Sequence, residues 1–262
     1  IKWIVILAIV AFLLIFEVFP LFYLLIKSLF SGGSFSLEAY RRVYTYDLNW
    51  IALKNTMITA GFSTIFGVAI AFPLAFLVGR TDMYGKKFFR TLFVVTYMVP
   101  PYVGAMAWLR LLNPNVGVLN KFLMKIFGLG SAPFNIYTTS GIVWVLTCFF
   151  YPYAFITISR AMEKMDPSLE EASRISGASP LKTLFKVTIP MMTPSIIAAG
   201  LLVFVASASS YGIPSIIGAP GQIYTVTMRI IDFVHIGSEE GLTDAMSLAV
   251  FLMLISNVIL YI

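Results

Sequence analysis

Cysteine and histidine occur once each in this chain of 262 residues, as Cys148 and His235. One cysteine excludes an internal disulfide framework and any cysteine-built metal site, and one histidine removes most metal and acid–base constellations. No metal site is expected. Charge is scarce too, at 11% of residues, where soluble domains carry about 25%. The missing charge is replaced by apolar side chains, 59% of the chain. Length alone would allow one or two soluble domains, but this composition points to lipid as the solvent. The net charge of +6 raises nucleic acid as a partner. The basic residues, however, flank apolar segments and form no continuous patch, so membrane topology accounts for them better and no nucleic acid is expected.

A bilayer core asks for about 20 apolar helical residues. Six runs qualify: Trp3–Leu25, Ile58–Val78, Leu92–Leu112, Gly141–Ile158, Ile196–Ile217 and Ala245–Ile262. The third carries Pro100 and Pro101 in its middle, and the fifth carries Gly212 and Pro214. Broken helices survive in membranes only where protein or water satisfies the freed backbone groups, so both runs are expected to face the interior of a bundle. The first run is too long and too poorly flanked for a cleavable signal peptide. The chain starts at Ile1 without methionine and stops at Ile262 inside an apolar run, so both ends are expected to be truncated.

Basic residues orient the spans. Arg80, Lys86, Lys87 and Arg90 lie between runs two and three, and Arg160, Lys164, Arg174, Lys182 and Lys186 between runs four and five. The other loops are longer and more thinly basic. Positive loops stay inside, which places residues 163–190 and both ends in the cytoplasm. On the outer side, residues 34–44 and 113–128 read as short interfacial helices. No internal repeat of the secondary-transporter kind is present.

The segment "EEASRISGASPLKTLFKVTIP" (170–190) is polar and heavily punctuated. Asp166-Pro167 opens a helix. Glu170 and Glu171 follow near its positive end, and Gly177 supplies a left-handed stop. Ser179-Pro180 opens a second short helix, through Leu181, Leu184 and Phe185, expected to stop before Pro190. Helices this short are marginal alone, so something must pack on them. Ile175, Leu184 and Phe185 form an apolar set, and Ala172, Ser173, Ala178 and Ser179 let another backbone approach. A docking knob and an interfacial loop folded on its own bundle both fit.

At this point a resemblance becomes specific. Glu171-Ala172-Ser173, three residues, Gly177, nine residues, Val187, one residue, then Ile189-Pro190 resembles the EAA motif of ABC importer permeases. The departures are mild: Ser173 for a third small residue, Val187 for Ile, Ile189 for Leu. "VPPYVGAMAWL" (99–109), "YGIPSIIG" (211–218) and the order of the runs are similar to one half of the iron(III) permeases, with aminoethylphosphonate, polyamine and thiamine permeases as relatives. The resemblance implies an all-α, MetI-like membrane permease domain over residues 1–262. It implies coupling helices at 163–190 that seat in a groove on an ATP-hydrolysing partner through Glu170, Glu171, Ala172, Ser173, Gly177, Ala178, Leu184, Phe185 and Pro190. It further implies a second permease domain, an extracytoplasmic solute-binding protein and the bacterial inner membrane. Many iron-branch members fuse two halves, and this chain would then be the first.

The chain shows no engine of its own. "GRTDMYGKK" (79–87) has five residues between its glycines and Lys87 where a phosphate loop needs Ser or Thr. No cofactor is expected on this chain, and ATP with Mg belongs to the partner. A membrane enzyme would need a nucleophile and a base converging, and none is evident. A proton- or sodium-driven carrier keeps ionisable groups among its spans. Glu17 is the one clear candidate, as a pathway group or as a structural one. Further pathway candidates are Tyr102 at the third-run break, Tyr153 beside Pro152, and Ser207, Ser209 and Tyr211 near the fifth-run break. For the serines, close helix packing and a weakly polar wall are both open. The tyrosines fit an aromatic belt as well as a path, and no metal site is assigned to them.

Overall fold

The computed structural model describes residues 2–31 and 33–261. From the amino end, α1 (Lys2–Ser28) leads into a two-residue antiparallel pair, β1 (Phe30–Ser31) with β2 (Ser34–Phe35). The amphipathic α2 (Glu38–Thr45) and the long α3 (Asp47–Arg80) follow. Next come α4 (Lys86–Met98), α5 (Pro101–Leu112), α6 (Val118–Phe127) and α7 (Thr139–Lys164). The short α8 (Ser168–Ile175) precedes α9 (Pro180–Ala208), and α10 (Gly212–Ile217), α11 (Val226–His235) and α12 (Glu239–Tyr261) complete the order. Among the described residues α1, α3, α7, α9 and α12 are long and apolar enough to cross a membrane, and the α4–α5 pair makes a sixth span if counted as one. All six expected runs are therefore helical apart from breaks at 99–100 in the third and at 209–211 in the fifth, and only the end of the last, Ile262, lies outside the described residues. The helices at 38–45 and 118–127 occupy the two stretches expected to be interfacial.

Prolines decide where these helices bend. α4 and α5 meet at 95°, because Pro100 and Pro101 remove two consecutive amide donors and force Val99 into extended backbone. α9 ends at Ala208 and α10 starts at Gly212, the break expected near Gly212 and Pro214.

Pro190 behaves differently from its reading in the sequence. The second helix of the polar segment does not stop before it, but runs on as part of α9. The reason is a π turn over Leu184–Thr188, in which the Ile189 amide reaches back five residues to the Leu184 carbonyl. A proline ring would strike the carbonyl four residues behind it. Here that carbonyl belongs to Lys186, inside the widened turn, and the helix absorbs the ring. The same device occurs in α1, where a π turn over Leu14–Val18 precedes Pro20.

The chain divides into two compact units. One spans Asn55–Ile223 and is organised on α7, whose apolar stretch is 61% buried. Ile142, Leu146, Phe155, Ile158 and Met162 of α7 are fully enclosed, with Ala71 and Ala75 of α3, Ala199 and Val203 of α9, and Ile213 and Ile217 of α10 packed against them. Small residues let the backbones approach closely, and in lipid this packing replaces the hydrophobic drive. The other unit comprises the chain up to Lys54 and from Tyr224 on. Its core gathers Val43, Ala52, Val226, Leu248 and Leu252, pinned by a two-nitrogen contact from Arg42 to the Asp244 carboxylate. The apolar stretch of α1 buries no residue, as suits a helix turned to lipid.

Candidate functional site

The polar segment between α7 and α9 forms a folded-back pair of helical arms. Asp166 accepts from the Ser168 amide at 2.9 Å and opens α8. That bond holds the Asp166 carboxyl below the ordinary carboxylate range. The arm closes at Gly177, whose φ is +81°, with Gly177 donating to the Arg174 carbonyl and Ala178 to that of Ser173. Only glycine takes this left-handed conformation without strain. Ser179 caps the next arm by accepting from the Lys182 amide, and Pro180 sits where a missing donor costs nothing. The Ser173 and Thr183 hydroxyls, 3.0 Å apart, tie the arms together.

The pair has two faces. On the enclosed face lie Glu170, Thr183 and Thr188. Glu170 Oε1 accepts from the Thr188 hydroxyl at 2.6 Å, and Glu170 Oε2 lies 3.8 Å from Arg80 Nε at the end of α3. Arg80 also donates through Nη2 to the Met165 carbonyl at 2.8 Å. Nearby, Arg90 of α4 pairs with Glu163 of α7. The outward face shows Leu169, Ile175, Leu181 and Phe185, all exposed, Ile175 to 87%. Glu171, Ala172, Gly177 and Pro190 are exposed with them, while Ser173, Ala178 and Leu184 are half-buried. Apolar side chains held out beside Glu171 and Arg174 suit contact with a protein surface.

Of the residues singled out in the sequence, Glu170 is the one turned away from that surface. Arg80 and Thr188 were missed as its partners. Arg80 read as a topology anchor, and no spacing links it to a carboxylate 90 positions on.

The pathway candidates are more scattered. In the Asn55–Ile223 unit, Tyr153 meets Tyr97 edge-on at 5.2 Å. These two line a cavity of about 280 Å³ with Thr96, Val99, Pro101, Phe149 and Phe150, at the α4–α5 bend. Tyr102 is exposed and packs near Gly212. Ser207 is buried and its hydroxyl finds no partner among the described residues, whereas Ser209 and Tyr211 are exposed at the α9–α10 break. Glu17 belongs to the other unit, exposed in the π turn of α1. Among the described residues no three His, Cys, Asp or Glu side chains gather as metal ligands would.

Comparison with known proteins gives a consistent set of relatives. Residues 71–262 match the family described as "Binding-protein-dependent transport system inner membrane component". The chain is 27% identical over 254 residues to the putative ferric transport system permease protein FbpB 1 of Haemophilus influenzae, which covers 95% of this chain and 39% of that protein. It is 30% identical over 150 residues to the maltose/maltodextrin transport system permease protein MalF of Salmonella typhimurium, covering 55% of this chain and 29% of that one. The chain thus spans 39% of the length of one ferric-transport relative and 36% of another. Among solved structures, a bacterial ABC transporter involved in the import of the acidic polysaccharide alginate superposes with a TM-score of 0.82 at 17% identity, over 99% of this chain and 92% of that one. The inward-facing MetNI methionine ABC transporter gives 0.61 at 17% identity, over 82% and 94%. At such identities these structures establish the fold.

Proposed function

The chain belongs to the family of binding-protein-dependent transport system inner-membrane components, and on that premise we propose that it is a permease domain of an ATP-driven ABC importer. It forms half of a solute pathway in the bacterial cytoplasmic membrane, with a second permease domain, fused or separate, supplying the other half. Residues 163–190 and both ends of this segment face the cytoplasm. ATP and Mg bind a separate pair of ATPase subunits, and an external binding protein delivers the solute. Iron(III) or a related small charged solute is the substrate class, a reading supported by the ferric-transport relatives that run nearly the length of this chain.

One observation carries the proposal. A polar, tightly folded helix pair displays Leu169, Ile175, Leu181 and Phe185 to the outside while its own inner face is already occupied. The bundle offers these side chains no cover, and a groove on the ATPase subunit does. Closure of the ATPase pair then moves α8, and the rigid helices α7 and α9 pass the motion towards the breaks at Pro100 and Gly212.

The test is co-purification from membranes of the full-length protein and its Gly177→Asp variant. A side chain at Gly177 meets no atom within 4 Å, so the cost is backbone strain, about 1 kcal/mol, too small to unfold the domain. The parent is expected to carry a P-loop ATPase that the variant loses. A folded parent that carries none contradicts the proposal.

A further inference from the structure

Glu170 stands inside the coupling segment, next to the acid of the EAA-like motif, yet its carboxylate points away from the docking face. Its partners lie on two separate spans. Thr188, buried and 2.6 Å away, sits in the π turn of α9. Arg80 terminates α3, its side chain only 13% exposed, and its Nη2 donates to the Met165 carbonyl just after α7. One carboxylate therefore links α8 to α3 and α9, and through Arg80 to the residue that follows α7, by side chains that no docking partner needs to touch.

We propose that Glu170, Arg80 and Thr188 act as a buried clamp, positioning residues that carry displacement of α8 into α3 and α9. This rests on the reading of α8 as the ATPase dock. Three features support it beyond the contacts themselves. First, buried charges are kept only where partners hold them, so α8 cannot slide outward without stranding Arg80 and Glu170 together. Second, the loop at Met165–Pro167 is extended backbone at its start and would otherwise absorb a push on α8 by bending. Third, the clamp is unevenly closed. The Thr188 bond is short, whereas Arg80 Nε is buried without a hydrogen bond and stands 3.8 Å from the carboxylate. A shift of α8 towards α3 by under an ångström brings that pair into hydrogen-bond range. Pressing the dock inward thus tightens the link to α3 while the link to α9 is already made. The π turn serves the same end, because the wider winding at Leu184–Thr188 sets the register in which Thr188 faces Glu170.

The experiment uses the complete transporter in nanodiscs, full-length permease with its ATPase subunits, and reads motion at the far end of α9. Cys148→Ser removes the thiol of these residues, any further cysteines of the complete transporter are replaced likewise, and Ser209→Cys places a probe at the exposed α9–α10 break. Labelling by a water-soluble maleimide is timed with and without MgATP and vanadate. The parent background is expected to change its labelling rate about fivefold or more, the lower end of ordinary site-to-site coupling. Thr188→Val and Glu170→Gln are expected to keep the ATPase subunits in the particle yet lose most of that change, and Thr188→Ser, which keeps the hydroxyl, to restore it. If Thr188→Val and Glu170→Gln respond as the parent does, or if Thr188→Ser fails like Thr188→Val, the clamp is wrong. Loss of the ATPase subunits from Glu170→Gln also overturns it, by making Glu170 a docking contact. A parent that lacks ATPase subunits or shows no nucleotide response refutes the underlying functional reading instead, so the two failures are told apart.

Discussion

Glu170 bonds Thr188 at 2.6 Å across 18 residues of sequence, while Glu171 beside it stands exposed. Successive residues on a helix point about 100° apart, so a pair of adjacent acids is divided between two surfaces. The division separates holding the arm from presenting it.

That separation is measurable as stability. Removing one partner of a buried ion pair strands the other, so Glu170→Ala is expected to cost about 3 kcal/mol. Glu171→Ala, on the surface, should stay within about 0.5 kcal/mol. Thermal unfolding of the detergent-solubilised protein reads both, and equal losses for the two variants would remove the distinction.

The packing of α5 on α7 supplies a steric prediction. A methyl group at Gly104 would lie 1.7 Å from the ring of Phe149, far inside contact distance. Gly104→Ala is therefore expected to lower stability by about 2–3 kcal/mol. Adding Phe149→Leu should recover part of the loss by emptying the space the methyl needs. Failure of the double variant to recover any would point to backbone strain at the bend in place of ring overlap.

Glu17 tests the carrier alternative. It lies exposed in the π turn of a helix whose apolar stretch is unburied, and no ion pair reaches it among the described residues. Glu17→Gln is expected to leave ATP-dependent uptake by the complete transporter within about twofold of the parent, since a pathway acid of an ion-driven carrier costs far more when neutralised. A severe loss at normal expression would return Glu17 to the pathway.

Much of this architecture is legible in the residues. Apolar length alone marks the six spans, and Pro100-Pro101 announces the α4–α5 bend although not its 95° angle. Gly177 is readable as a left-handed stop because the residues before it favour helix and those after it reopen one. Pro190 misleads, since the local rule that proline ends a helix holds only when the preceding turn keeps four-residue bonding, and the π turn before it does not. Glu170 is harder to read. It stands beside the EAA-like motif, and nothing in the spacing announces that it is buried against Arg80, 90 positions earlier. Which face of a short helix is buried depends on tertiary neighbours that periodicity over two turns cannot specify.

In the proposed importer the outward face of α8 and the start of α9 meet an ATPase. A photo-crosslinking amino acid placed at Ile175, or at Phe185, tests it directly in membranes of cells making the full-length protein. A nucleotide-sensitive crosslink from both positions to a subunit carrying a P-loop is expected. Crosslinks only to lipid, or only back to this chain, would contradict it.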